Sequence, residues 1–75
     1  MSKFMICLRN DGNRASLIVG KVYIALADGD AESRGMVRVI DEDKSERDGY
    51  LYPASMFAPI ELPEKVEKVL LEAAK

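Results

Sequence analysis

Histidine and tryptophan are both absent from this chain, cysteine occurs once, at Cys7, and there are three prolines. Without histidine, hydrolytic triads and most general acid–base schemes lack their usual proton carrier, which leaves carboxylates, lysine, tyrosine and one thiol as reacting groups. No constellation of these stands out, and an enzyme is not expected. A lone cysteine closes no internal disulfide, and with no histidine there is no second ligand of that type for zinc; neither a metal nor a cofactor is expected. Cys7 sits inside the apolar run Phe4 to Leu8, where a packing role outweighs a reactive one. Five residues are too few for a membrane span or the apolar core of a signal peptide, so the expected location is cytoplasmic, without membrane contact. None of the five glycines stands in a Gly-x-Gly-x-x-Gly or Gly-Lys-Ser/Thr frame, so no phosphate-cradling loop is foreseen.

What is present fits one small folded domain over 1–75. With 48% hydrophobic and 32% charged residues, the 75-residue chain is too apolar for a disordered tail. At this length folding buries only about 60% of the unfolded surface, so the core must be compact. The net charge of −2 is unevenly spread: six basic residues face four acidic ones up to Ile40, and five face nine from Asp41 onward. A dedicated nucleic-acid binder carries a basic excess, which this chain as a whole lacks.

Turn signals at Asn10 to Asn13, Gly20, Asp28 to Asp30, Gly35 and Asp41 to Gly49 divide the first 62 residues into short apolar segments, as in a strand meander. In Lys3 to Arg9, the period of two groups Phe4, Ile6 and Leu8 on the face chosen for the core. In Lys21 to Ala27 both faces are apolar, and either can be the inner one. In Gly35 to Asp41 the charge of Arg38 turns Val37 and Val39 inward. Seven of the eight side chains from Asp41 to Asp48 can carry charge, which reads as a solvated hairpin loop. Tyr50 to Tyr52 ends at Pro53, and Phe57 to Leu62, with Pro59, reads as an edge strand. From Pro63 the period changes: Val66, Val69, Leu70 and Ala73 mark one face of a C-terminal helix over 63–75. This face is expected to pack on the chain's own core, leaving Leu71 exposed; the chain is expected to be a monomer or a weak homodimer.

Leu17-Ile18-Val19-Gly20-Lys21-Val22-Tyr23 and Leu51-Tyr52-Pro53-Ala54-Ser55-Met56-Phe57 together resemble the strand-opening and strand-closing motifs of a Src-homology-3-like barrel. Gly20-Lys21-Val22-Tyr23, Asp41 and Tyr50-Leu51-Tyr52-Pro53 with Phe57 are similar to a pattern in small bacterial and phage proteins of that barrel type. The resemblance implies a mainly β fold, a five-stranded Src-homology-3-like barrel over 1–62 with a short C-terminal α-helix, and no particular activity. It does not extend to the proline-rich-peptide groove of signalling domains of this kind: tryptophan and the early tyrosine motif are missing, and Met56 stands where the late tyrosine would be, so only Pro53 carries over.

Asp28-Gly29-Asp30-Ala31-Glu32 and Asp41-Glu42-Asp43-Lys44-Ser45 open like calcium loops but lack the glycine at the sixth position and the glutamate at the twelfth, and read as solvated turns. Arg9, Lys21, Arg34 and Arg38, with Tyr23 for stacking, would form the face of a single-stranded nucleic-acid barrel; the plainer reading is of outward strand residues balancing nearby acids. Tyr50 and Tyr52 share one strand face. They are either amphipathic contact anchors at the rim or core residues with satisfied hydroxyls. The leading expectation is an interaction module contacting a protein segment through Tyr23, Tyr50, Tyr52 and Pro53, with nucleic acid as the alternative ligand.

Overall fold

The computed structural model describes residues 3–73. Strands β1 (Lys3–Cys7), β2 (Val22–Leu26), β3 (Met36–Ile40), β4 (Tyr50–Pro53) and β5 (Phe57–Pro59) form one antiparallel sheet in the order β4-β3-β2-β1-β5. Helix α1 (Gly29–Ser33) fills the β2–β3 connection, and helix α2 (Glu64–Ala73) follows β5. The fold is therefore mainly β with a C-terminal helix. The expected closure is not present: no pairing joins β4 to β5 among the described residues, and the sheet stays open. Both outer strands are short and end in proline, which has no N–H to offer a ladder.

The sheet is apolar on both faces, which is why the alternation in β2 was ambiguous. The central cluster lies on the face of Cys7, Tyr23, Val39, Tyr52 and Phe57, closed by Leu17 from the β1–β2 loop and by Met56, with Met5 and Val37 packed against it. Phe57 stands edge-on to two tyrosine rings, 6.5 Å from Tyr23 and 6.0 Å from Tyr52 between centroids, a favoured aromatic geometry. Phe4, chosen from the sequence for the core, is buried on the opposite face, where the register aligns Phe4, Ile24 and Ile40 across three strands. Leu8 lies past the end of β1 and is exposed. Val37 and Val39 do point into the cluster.

Asp28 caps α1 by accepting the Ala31 N–H at 3.0 Å, and Gly35, at φ +74°, follows where the chain must leave the helix. Pro53 ends β4, and one 3₁₀ turn (Ala54–Met56) delivers Phe57 to the core. Helix α2 starts one residue after the proline foreseen as its first, with the Pro63 carbonyl accepting from Val66 and Glu67. None of its residues is fully buried: Leu70 is half-buried, whereas Val66 and Val69 of the same stripe are exposed.

Gly49 is the one position where the backbone leaves no room. Its φ is +66°, and a Cβ there would stand 2.5 Å from the Val39 carbonyl oxygen and 2.9 Å from its carbon. Gly49→Ala combines left-handed strain with a backbone collision and should cost roughly 3 kcal/mol, lowering the melting temperature by more than about 10 °C in thermal unfolding, whereas ordinary surface exchanges move it little.

Candidate interaction surface

Three consecutive carboxylates at the end of β3 each accept a tyrosine hydroxyl. Tyr52 donates to Asp41 at 2.5 Å, Tyr23 to Glu42 at 2.5 Å, and Tyr50 to Asp43 at 3.0 Å. The segment read as a solvated loop is a loop, but its first residue, Asp41, is only 2% exposed and also accepts the Asp43 N–H at 2.9 Å. The Tyr23 hydroxyl accepts the Ile18 N–H at 2.8 Å, Glu42 pairs with Lys21 at 2.7 Å, and the Glu42 N–H donates to the Ser16 carbonyl at 2.9 Å. These bonds tie the β1–β2 loop to the β3–β4 loop. Burial, reinforced by the neighbouring carboxylates, raises the hydroxyls of Tyr23 and Tyr52, the latter to about 12. Lys21 and then Tyr23 hold Glu42 below the usual carboxylate range, and Ser45 and then Tyr50 do the same for Asp43.

Tyr23 and Tyr52, named from the sequence as contact residues, are thus core rings whose polar ends reach the loops, and their burial leaves little ring surface for a contact. Tyr50 is different. It shares the face of Tyr52 but is 40% exposed at the sheet margin, on an outer strand with Pro53 exposed at its end. Tyr50, Leu51 and Asp43 line a groove of about 400 Å³ with Asn13, Ser16, Asp41 and Tyr52. Reasoning from the sequence missed this row of acids. Its signal was three tyrosines in a chain with an Asp-Glu-Asp run, but the pairing depends on a register the sequence does not print.

The four basic residues of the nucleic-acid alternative do not gather into one free face. Lys21 is held by Glu42, Arg34 by Asp30 at 2.8 Å and Arg38 by Asp28 at 2.9 Å, while Arg9 donates to Ser55 at 3.0 Å. Arg9 and Lys21 stand where β1 ends and β2 begins, and Arg34 and Arg38 stand beside α1 at the far end of β2. In the two turns resembling calcium loops, Asp28, Asp41 and Asp43 are committed to protein donors, and no cluster of three metal-ligating side chains occurs among the described residues. The Cys7 thiol is buried and its ionisation is pushed up by desolvation. No described helix is long and apolar enough to cross a membrane. No family model, curated protein or solved structure matches this chain.

The tyrosine ionisations set an alkaline limit on the fold. A hydroxyl raised in the folded state contributes stability that is fully present below its ordinary value near 10 and is lost as the pH climbs through the folded value, about 12 for Tyr52. Glu42 and Asp43 have the opposite sign, contributing above their ordinary carboxylate values and losing that contribution as the pH falls through the lowered ones. Tyrosinate absorbance should therefore rise in two stages: exposed Tyr50 first, then Tyr23 and Tyr52 together with loss of the fold. Tyr50→Phe should abolish the first stage alone.

Proposed function

We propose that this chain is a non-enzymatic interaction module that takes an extended protein segment in the groove between the β1–β2 and β3–β4 loops, and that it belongs among Src-homology-3-like barrels. The fold reading is supported by a first strand placed between the second and the fifth, and by a 3₁₀ turn joining the last two strands after a proline. The observation that carries the function is Tyr50, a large ring left 40% exposed on an outer strand while the other two tyrosines are buried. An amphipathic aromatic of this kind, with two rotatable side-chain torsions, is an economical contact anchor.

The groove also specifies the chemistry of the segment. The Tyr50 ring offers an apolar wall, and Asp43, kept ionised by Ser45 and Tyr50, offers a negative charge. A basic side chain next to an apolar one matches both, and the acidic excess from Asp41 onward steers such a segment toward it. Among the described residues β4 is paired on one side only, so an extended chain can lie along it.

Selection of short displayed peptides against the immobilised domain should recover sequences with a Lys or Arg beside an apolar residue. Tyr50→Ala should weaken their binding at least about tenfold and leave the unfolding temperature almost unchanged. Peptide binding indifferent to Tyr50, or a single-stranded nucleic acid bound with steep salt dependence in place of any peptide, would contradict the proposal.

A further inference from the structure

Helix α2 leaves most of its apolar stripe uncovered. The stripe Val66, Val69, Leu70 and Ala73 is apolar at helical spacing, yet only Leu70 is half-buried, while Val66 is 42% and Val69 63% exposed. Leu70 and Ala73 form one side of a cleft of about 250 Å³ whose other side is Val22, Ile24 and Ile40, with Lys44 among its polar lining. An apolar helix flank and an apolar cleft thus lie side by side, both open.

The charges on the helix are placed to suit a second, antiparallel helix. Lys65 in the first turn and Glu72 in the last run against the helix dipole, which favours acids at the N-terminus and bases at the C-terminus. Neither forms an ion pair among the described residues. Seven residues apart, they come round to the same flank, beside the Val66–Val69 stripe. In an antiparallel helix pair, same-flank residues of the two helices meet across the twofold axis. A twofold between Lys68 and Val69 brings Lys65 level with Glu72 of the second copy, and Glu72 with its Lys65. The same axis sets Glu64 of the second copy level with Ala73, on the cleft side where Lys44 also stands.

We infer that the exposed Val66–Val69 flank of α2 is a homodimer surface, on which α2 of a second copy packs antiparallel and covers the cleft beside Leu70, with reciprocal Lys65–Glu72 pairs fixing the register. The pairs set specificity and the valines supply the area, as at other two-helix seams. Leu71, exposed on the opposite flank, takes no part.

Sedimentation of the full chain over a concentration series tests this. The wild type should show a monomer–dimer equilibrium that Val69→Glu abolishes without changing the unfolding temperature at concentrations where the wild type is monomeric. Lys65→Glu alone should weaken dimerisation about tenfold, and Lys65→Glu combined with Glu72→Lys should restore it. Both exchanges favour the helix dipole, so a loss in the single variant cannot come from a weakened helix. Val69→Cys should cross-link across the axis under mild oxidation and Leu71→Cys should not. A monomer at every concentration, a dimer indifferent to Val69→Glu, failure of the charge swap to restore it, or cross-linking through Leu71→Cys in preference would overturn the inference.

Discussion

The row of carboxylates Asp41, Glu42 and Asp43, each accepting a tyrosine hydroxyl, is the constraint on which the arrangement of this small sheet depends. A chain of 75 residues buries little surface, and the two large rings of Tyr23 and Tyr52 cannot be placed in its core unless their hydroxyls find partners. Tyr23 and Tyr52 enter the core from different strands and flank Phe57, and their polar ends emerge where β3 runs into its loop. Because neighbouring acids receive those ends, the β1–β2 loop, which carries Leu17 into the core, is fastened to the β3–β4 loop. Packing and hydrogen bonding therefore stabilise the same contact, and removal of either would loosen both loops.

The same row divides the tyrosines by role. Asp41 and Glu42 stand close to the core and hold buried rings, whereas Asp43 lies one step out in the loop and holds Tyr50 at the margin. The hydrogen bond fixes the Tyr50 ring in one orientation, which lowers the entropy cost of using it as a contact surface. A structural device thus grades into a binding surface within three residues, and the groove beside it inherits both an aromatic wall and a fixed charge.

Much of the strand layout was legible because the turn signals are strong. Gly35, the Asp41–Gly49 run and Pro53 punctuate the chain where it turns, and the period change after Pro63 marks α2. Three things were not legible. The faces of β1 could not be ordered because the sheet packs on both sides, so Phe4 is buried away from the cluster that Cys7 joins. Helix α1 reads as a turn in the sequence, although Asp28 as cap, Glu32 reaching back to the Asp28 N–H and Gly35 as terminator are the signals of a one-turn helix. The burial of Asp41 was hidden by its charged neighbours, since composition marks the loop as solvated and only the register of β3 against β4 brings Tyr52 to its first residue.

The central claim is energetic coupling between ring and acid, and a double-mutant cycle measures it most directly. Denaturant unfolding of the wild type, Tyr52→Phe, Asp41→Asn and the double variant should give single-variant losses that exceed the double-variant loss when summed, with a coupling of about 1 kcal/mol or more for this buried pair. Losses that add within about 0.5 kcal/mol would mean that Tyr52 and Asp41 stabilise the fold independently, and that the carboxylate row does not hold the sheet together.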